Sequence, residues 1–537
     1  MFDLKIIKIM KLRHISKRNI VCGVLVINLL AALGGCAVNP VTGRNELSFV
    51  SPAQEVAIGK ANYVPAQQAQ GGQLALDPEL TSYVREVGNR MARVSGVELP
   101  YEFVVLNNSV PNAWAMPGGK IAINRGLLTE LKSEAELAAV LGHEVTHSAA
   151  RHGARSQTRG ILLQGAMVAT AVVSSQTTEY AGALVGASQV AANLVSTKYG
   201  RDAERESDYY GTQWLAEAGY DPVAAVHLQE TFVRLSEGRQ SDWLSGLFSS
   251  HPPSQERVEN NRAQVAQLRA EGKIKPDADL GERRYAQAMR LLNSRAPAYA
   301  KQDEARAALG GGDTAAALAA INRAIQLEPK EASFHGVRGD IRFQQKRWDD
   351  AATNYNRAIG YDDGYYHYYL GRGMANAQNG AVRDAKPDLE RSLKLLPTTT
   401  AYSQLGKIAE SEGNQDLALK YYAAAGESNS NAGAAARASY AALDVPRHPG
   451  QYVKTRVALN QSGVPVLLVQ NASKIALVNV QVVTQLGWAD GKTQRVERTI
   501  KQLAGGQQVQ VALPNRKVPL QQQASSAVAA QPLSASR

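Results

Sequence analysis

The hydrophobic pattern of residues 78–150 predicts a helix, two strands and a second helix. From Pro78 onward apolar residues recur at steps of three and four, which is typical of an amphipathic helix. Residues 101–106 and 120–124 have the composition of strands, and a turn containing Pro, Gly and Gly precedes the second. Helical spacing resumes over Leu137–Ala150, with a capping-box pair just before it.

A 34-residue period runs through the chain after residue 300. Successive alanines are 34 residues apart, or once 33, and glycines mark the first helix of successive units: Ala317, Ala351, Ala385, Ala418, Gly339, Gly373 and Gly406. Small residues at these places let paired helices approach closely. The pattern resembles the tetratricopeptide repeat and predicts an α-solenoid of about four helix pairs over residues 299–430, preceded by connecting helices at 271–298. Generic helical hairpins are the alternative interpretation.

Strand patterns replace helical ones after residue 446. Residues 464–469 and 475–483 are rich in valine, and the second run alternates with polar residues. Asp490 and Gly491 form a hairpin signal. We therefore predict a small β-rich module over residues 446–513. The Gln-, Ser- and Ala-rich residues 514–537 are predicted to be disordered.

Length and charge bound the function only broadly. A chain of 537 residues with 44% hydrophobic and 20% charged residues is expected to fold into two to four domains. The formal net charge is +11, and an excess of five positive charges lies in the first 35 residues. The remaining charge is mild for this size, so no nucleic acid partner is predicted. Residues 161–194 are apolar but interrupted by polar residues, which favours helices or a mobile cover over a transmembrane hairpin.

The first 35 residues have the three parts of a targeting signal. A basic stretch is followed by an apolar run too short to span a membrane comfortably, and then by small residues. The run ends in Leu-Gly-Gly before Cys36, which resembles a bacterial lipobox. We therefore predict a lipoprotein signal peptide at 1–35, lipidation of Cys36, and an outer-membrane lipoprotein on the periplasmic side of a bacterial envelope. A plain signal peptide or a short anchor is the alternative.

The mature chain would begin with a tether and a first helix over residues 36–75. Because Cys22 lies inside the predicted signal peptide, Cys36 would be the one cysteine left, so no internal disulfide is expected. Stability would have to come from packing and from a metal.

The segment from His143 to His147 has the spacing of a metal site. Its two histidines are four residues apart, so on a helix they project from one face and can bind one ion. Two imidazoles suit zinc, and Glu144 between them would be the general base that takes a proton from water. The alternative is a charged helix face. Because the neighbouring residues are apolar and small, a buried helix whose polar side chains need partners is favoured.

A third ligand is available downstream. Glu204 is predicted to complete the site, and Asp208, one turn later on the same face, to hydrogen-bond a ligand histidine. Glu206 is an alternative third ligand. Glu204 could also belong to an exposed run of mixed charge that has no role in the site. His152 does not fit the spacing of the metzincin pattern, which requires a histidine at 153 where this chain has Gly153.

The motifs together resemble a known family, the zinc endopeptidases that include the CAAX prenyl protease and the integral-membrane heat-shock protease. The resemblance covers roughly residues 40–265 and rests on segments 112–119, 126–128, 204–208 and 218–222 beside the histidine pair. It implies a zincin-like, gluzincin-type domain over residues 76–270, mainly α-helical with a short β-sheet. It also implies one Zn²⁺ per chain and endopeptidase activity.

Further predictions concern residues near the metal and the binding of substrate. The segment around His251 also resembles a family segment near the metal, so this histidine could fill the open position of the zinc or stabilise the transition state. Arg257 could act on the transition state or pair with Glu206 or Asp208. An ordinary loop histidine is the alternative for His251.

The strand formed by Lys120, Ile121, Ala122, Ile123 and Asn124 is predicted to bind extended substrate by strand addition.

These features favour an envelope zinc endopeptidase that degrades misfolded or stalled proteins. The repeats would recruit unfolded clients or the outer-membrane β-barrel assembly machinery, because a solenoid offers a concave peptide-binding surface. The lipid on Cys36 would hold the chain at the membrane. The alternative is a chaperone or scaffold whose metal site is inactive or self-inhibited.

Overall fold

A computed structural model describes residues 36–158, 199–238, 251–516 and 518–533. The predicted signal peptide and the apolar stretch at 161–194 lie outside these ranges. Among the described residues, one compact unit runs from residue 36 to Glu331 and a second from Ala332 to residue 533. No helix within these ranges is both long enough and apolar enough to cross a membrane.

Residues 152–158 of unit 1 are helical, and the described ranges of this unit contain five short strands and ten further helices. In chain order they are β1 (Cys36–Val38), β2 (Asn45–Leu47), α1 (Pro52–Ala69), α2 (Pro78–Val94), β3 (Glu102–Leu106), β4 (Ala113–Met116), β5 (Lys120–Asn124), α3 (Arg125–Leu128), α4 (Glu134–Ala149), α5 (Arg201–Ala218), α6 (Val223–Gly238), α7 (Gln255–Ala270), α8 (Glu282–Ala288), α9 (Arg290–Gly310) and α10 (Thr314–Leu327). The helices predicted from Pro78 and before residue 150 are present. Ser133 caps α4 by accepting a hydrogen bond from the backbone N–H of Glu136.

The sheet of unit 1 has three strands in the order β3-β5-β4. The sequence pattern missed β4, which forms an antiparallel hairpin with β5, whereas β3 runs parallel to β5. Strand β5 is therefore central, and both of its edges are paired. The prediction that Lys120–Asn124 binds substrate by strand addition is wrong, because strand addition needs a free edge.

Helix α4 forms the core of unit 1 and is buried from Glu134 to Ala149. It packs against α5 with unusually little separation, because glycines face each other at the crossing. A Cβ on Gly211 would lie 3.2 Å from the backbone nitrogen of His143, and one on Gly142 would lie 2.9 Å from Met91. The close approach brings the acidic first turns of α5 beside the histidines of α4.

The segment predicted as a tether is an ordered strand pair. Strand β1 pairs antiparallel with β2, and polar side chains join this pair to the end of α4. Asn39 donates to the carbonyl of Ala150 at 3.3 Å, and Arg155 donates to Glu46 at 2.7 Å. The polar composition that suggested a tether supplies these contacts instead.

The pair formed by α9 and α10 belongs to unit 1, and the predicted boundary at residue 299 falls inside α9. The buried guanidinium of Arg125 lies 3.7 Å from the ring centre of Tyr299, a cation–π contact. Ser109 donates to Asp303 at 2.7 Å, and Asn107 donates to Glu331 at 2.9 Å. This helix pair is therefore fixed to the loops around the sheet.

Unit 2 begins with helical pairs and ends with strands. In chain order they are α11 (Ala332–Gln344), α12 (Trp348–Tyr361), α13 (Tyr366–Gln378), α14 (Val382–Leu395), α15 (Thr399–Ser411), α16 (Gln415–Gly426), α17 (Asn431–Arg447), α18 (Pro449–Tyr452), β6 (Val453–Leu459), β7 (Pro465–Asn471), β8 (Leu477–Trp488), β9 (Thr493–Leu503), β10 (Gln508–Ala512) and β11 (Leu520–Pro532). The periodic glycines lie where helices of one pair touch. A Cβ on Gly339 would meet the ring of Tyr355 at 2.7 Å, and one on Gly406 would meet that of Tyr422 at 2.6 Å.

The β module consists of two three-stranded sheets, β10-β7-β6 and β11-β8-β9, packed around a shared apolar core. The predicted hairpin at Asp490 and Gly491 joins β8 to β9. The predicted disordered tail is wrong for most of its length, because β11 pairs antiparallel with β8. Ala527 and Ala530 of β11 belong to the core, so small apolar residues at a few positions suffice to hold this polar strand.

Candidate metal centre

Four side chains of unit 1 converge on one point. One ligand atom from each of His143, His147, Glu204 and His251 lies within 4.8 Å of the other three. The two histidines share a face of α4, Glu204 extends from the first turn of α5, and His251 lies just before α7. Three separate segments therefore build the cluster.

Five of the distances within the cluster lie between 3.0 and 3.4 Å. His143 Nε2 lies 3.0 Å from His147 Nε2, 3.4 Å from Glu204 Oε2 and 3.3 Å from His251 Nδ1. His147 Nε2 lies 3.3 Å from Glu204 Oε1, and His251 Nδ1 lies 3.1 Å from Glu204. The contact atoms of the four residues thus lie close enough together to surround one ion.

Carboxylate and guanidinium groups surround His143 on its far side. Its Nδ1 lies 3.0 Å from Asp208 Oδ1, and Arg257 donates to both oxygens of Asp208, at 2.6 and 2.7 Å. Arg257 Nη1 also lies 3.2 Å from Glu204 Oε2. Asp208 and Arg257 therefore lie behind the cluster, and of the two pairings predicted for Arg257 the structure has the one with Asp208.

The far side of His147 contacts His152, which the sequence analysis rejected as a ligand, and Tyr199, which it did not name. Its Nδ1 lies 2.8 Å from His152 Nδ1, and His152 Nε2 lies 3.3 Å from Glu206 Oε1. The ring of Tyr199 stacks on the imidazole of His147 with 3.9 Å between ring centres. Glu206, the competing ligand of the sequence analysis, points to His152 rather than into the cluster. Sequence spacing contains no signal for Tyr199.

The electrostatics of the cluster reflect burial opposed by close charges. Burial alone would lower the pKa of His143, but Asp208 and Glu204 outweigh it and raise that pKa to about 10. Burial disfavours the charge of Glu204, yet His251 and His143 hold its pKa well below the usual range. For His147, burial dominates and lowers its pKa well below 6.5. The cluster therefore attracts positive charge.

Glu144 lies beside the cluster and is almost fully buried. Burial raises its pKa, and His251 Nε2 lies 3.5 Å from its Oε1. Its Oε2 has no hydrogen-bond partner among the described residues. A cavity of about 30 Å³ adjoins Glu144 and His143, with Thr212 and Gln229 also lining it. That volume is enough for a water molecule.

The donor set fits a metal cation. Imidazole nitrogens and carboxylate oxygens converge within 4.8 Å, and a buried oxygen of Glu144 beside them lacks a partner. Three carboxylates, those of Glu144, Glu204 and Asp208, lie in this interior, where Arg257 is the nearest permanent cation. Buried carboxylates are costly without cationic partners, so a cation held by the cluster would balance them.

Comparison with known proteins assigns this region to a family. Residues 78–265 match the profile of Peptidase family M48, and residues 303–366 and 342–391 match that of the tetratricopeptide repeat. The chain carries a peptidase family M48 domain. The M48 match includes the whole cluster, and the repeat match confirms the period predicted from the alanines and glycines.

Several relatives with metallopeptidase names resemble this M48 region. The "Beta-barrel assembly-enhancing protease" of Yersinia pestis is 29% identical over 43% of this chain and 48% of its own length. The "Mitochondrial metalloendopeptidase OMA1" of Schizosaccharomyces pombe is 31% identical over 41% of this chain and 63% of its own. "Metalloprotease YcaL" of Escherichia coli is 28% identical over 42% of this chain and 86% of its own length. The chain spans about half the length of the first of these relatives.

Proposed function

We propose that the chain is a zinc-dependent endopeptidase of the bacterial cell envelope. The observation that carries the proposal is the close spacing of the cluster atoms, because the contacts from His143 to the other three residues measure 3.0 to 3.4 Å. Ligand atoms held at zinc's usual bond lengths of about 2.0–2.1 Å are about 3.3 Å apart in a tetrahedron. His143, His147 and Glu204 would hold one Zn²⁺ per chain.

The residues around the ion have separate tasks in hydrolysis. Bound zinc would acidify a water molecule and polarise the scissile carbonyl. Glu144, whose Oε2 is unpartnered and whose pKa is raised, would accept the proton of that water and pass it to the leaving amine. Asp208 would orient His143, and Arg257 would keep Asp208 and Glu204 ionised. The raised pKa of Glu144 brings its basicity closer to that needed at neutral pH.

Substrate would bind in an extended conformation along β4 rather than β5. Strand β4 is at the edge of its sheet, and Ala113 at its start lines the cavity beside Glu144. Backbone hydrogen bonds to an edge strand recognise unfolded chain with little dependence on sequence. This supports misfolded or stalled envelope proteins as substrates.

His251 would hold the resting enzyme inactive. Its Nδ1 lies 3.3 Å from His143 Nε2 and 3.1 Å from Glu204, at the position left for a fourth ligand, and its Nε2 faces Glu144. Catalytic zinc sites keep one position open for water, so a histidine in that position would exclude the nucleophile. Displacement of His251 would open the site.

Client recruitment is the task we propose for the repeats. Tetratricopeptide repeats commonly bind peptides on a concave face, and relatives bear the name β-barrel assembly-enhancing protease. We extend that relation to this chain and propose the outer-membrane β-barrel assembly machinery as a partner. A lipid on Cys36 would place the chain on the periplasmic side of the outer membrane.

Replacing Glu144 with Gln tests the proposal. We expect turnover of an unfolded reporter protein to fall about 100-fold or more, because general-base catalysis is lost, while zinc content stays at one ion per chain. Zinc content is measured by atomic absorption, and turnover by release of labelled peptide. Undiminished turnover would refute the role of Glu144. A wild-type chain that binds clients but hydrolyses none would favour the chaperone or scaffold function.

The resting state is tested by His251→Ala. If His251 blocks the open position, reporter hydrolysis rises in this variant. Wild-type or lower activity at unchanged zinc content would contradict the inhibitory role. His227→Ala, which changes a half-buried histidine of α6, is the matched control and should leave activity unchanged.

A further inference from the structure

The two histidines of α4 differ in what supports them. His143 contacts a carboxylate directly, through Asp208 at 3.0 Å. His147 contacts another imidazole, that of His152, and the carboxylate of Glu206 lies one step further away. The three imidazoles are buried, and the side chains of Asp208 and Glu206 are 9% and 17% exposed, so these contacts are made largely within the protein.

The geometry determines which ring nitrogens of His147 and His152 carry a proton. Nε2 of His147 faces the cluster, and a neutral imidazole that offers one nitrogen to a metal carries its proton on the other. His147 Nδ1–H therefore donates to His152 Nδ1 at 2.8 Å. The proton of His152 then lies on Nε2 and is donated to Glu206 at 3.3 Å.

An uncommon backbone conformation places His152 in this position. Arg151, which follows the C-cap residue Ala150 of α4, has a φ of 59°, in the left-handed region that favours glycine. Its guanidinium donates to Glu55 at 2.6 Å and to the carbonyl of Val50 at 2.7 Å. Such a conformation costs about 1–3 kcal/mol and persists only when surrounding contacts enforce it. The turn at Arg151 directs the next side chain, that of His152, back towards His147.

The carboxylate of Glu206, at the end of the hydrogen-bond chain that starts at His147, is itself held by hydrogen bonds. Asn39 donates to Glu206 Oε1 at 3.2 Å, and Arg155 donates to Glu206 Oε2 at 3.4 Å. Asn39 and Arg155 both donate to Glu46 as well. The strand pair at residues 36–47 is thereby part of the support of His147.

We infer that His152 and Glu206 are positioning residues that fix the tautomer and orientation of His147 through a two-step hydrogen-bond chain. The inference rests on the proposed function, because it concerns how His147 would ligate zinc. Residues behind a ligand histidine typically change metal affinity about 10- to 100-fold when they are lost. His152 does not fit the spacing of a metal ligand, and the arrangement assigns it a supporting role at the metal centre.

The test compares zinc affinity, measured by chelator competition, in wild-type protein and three variants. His152→Phe keeps the ring volume but offers His147 no acceptor, so we expect zinc to bind about 10- to 100-fold more weakly. His152→Asn places an amide oxygen near the former Nδ1, and we expect partial rescue. Glu206→Gln keeps an acceptor without its charge, and we expect a smaller loss.

Matched controls separate this effect from general destabilisation. Glu134→Gln removes a buried carboxylate of α4 that accepts from Tyr83 and Tyr220, away from the cluster, and should leave zinc affinity unchanged. His227→Phe is the control for the imidazole. The visible spectrum of the Co²⁺-substituted protein gives a second readout, and we expect its bands to shift in His152→Phe.

The outcomes distinguish this inference from the proposed function. Wild-type zinc affinity and an unchanged Co²⁺ spectrum in His152→Phe would overturn the positioning role alone. If His152→Phe does not fold, wild-type affinity in both His152→Asn and Glu206→Gln would do the same. A wild-type chain that takes up no metal would overturn the zinc peptidase together with this role.

Discussion

The metal centre of unit 1 and the helical pairs of unit 2 are built on opposite principles. The centre joins polar side chains from α4, α5 and the segment before α7, which are separated by about 50 to 100 residues in sequence. The helical pairs join apolar and small residues about 12 to 16 positions apart, as in the contact of Gly339 with Tyr355. One region depends on distant residues, and the other depends on near neighbours.

The difference teaches where a single residue has the largest effect. In the centre, the charges of Glu204, Asp208 and Arg257 are mutually dependent, and removal of one leaves the others buried without compensation. In the repeats, each unit is stabilised mainly by its own helix pair and its immediate neighbours. A substitution there should have a moderate and local effect.

Removal of Arg257 is the strongest challenge to this comparison. Arg257→Ala leaves Asp208 and Glu204 buried without their cation, so the opening free energy of α4 should fall by about 3–5 kcal/mol in chelator-treated protein. Native-state hydrogen exchange of the α4 amides measures this change. The method reports the opening of unit 1 separately from that of unit 2.

The matched control lies on the same helix. Arg262 pairs with Glu230 at the surface, and the two side chains are 54% and 45% exposed. Arg262→Ala should cost less than about 1 kcal/mol. Equal losses in the two variants would show that burial and mutual dependence do not distinguish the centre from an ordinary surface pair.

The repeats could be predicted from sequence because their structure is local. A 34-residue period fixes which residues face each other inside a pair, and Ala351, Ala385 and Ala418 are all fully buried. The periodic glycines lie where a Cβ would clash with the partner helix. No knowledge of distant contacts is needed for such a prediction.

The centre could be predicted only in part. Spacing of four residues placed His143 with His147, and Glu204 with Asp208, on common helix faces, and the structure brings both faces together. Spacing led to the rejection of His152 and could not show its contact with His147, because the left-handed turn at Arg151 that directs this side chain depends on contacts with α1 and the segment before it.

Two errors have related physical causes. Composition identified β3 and β5 as strands but not β4, so the central position of β5 between these two strands was missed. In β11 most side chains are polar and exposed, and the strand is held by its pairing with β8 and by a few alanines. A sequence pattern records what a side chain prefers, whereas strand pairing depends on which other strand is available.

Overpacking inside a repeat should have a moderate effect. In Gly406→Ala the new Cβ would lie 2.6 Å from the ring of Tyr422, which must shift, so exchange protection of α15 and α16 should fall by about 1–3 kcal/mol. Gly360 of α12 has open space around its Cβ position, and Gly360→Ala should stabilise its helix by up to about 1 kcal/mol. Stabilisation in both variants would mean that the periodic glycines are not packing positions.

The smallest effect is expected where both regions use the same local device. Ser133 caps α4 by accepting from Glu136 N at 3.1 Å, and Thr398 caps α15 by accepting from Ala401 N at 3.2 Å. Replacing either residue with Ala should cost about 1 kcal/mol, because each change leaves one helix N–H without its side-chain acceptor. Hydrogen exchange in the first turn of each helix measures the cost. Since the cap is local, both costs should lie within the range of about 0.5–2 kcal/mol that is usual for N-cap residues. A clearly larger loss at Ser133 would show that even the start of α4 depends on the distant contacts that build the metal centre.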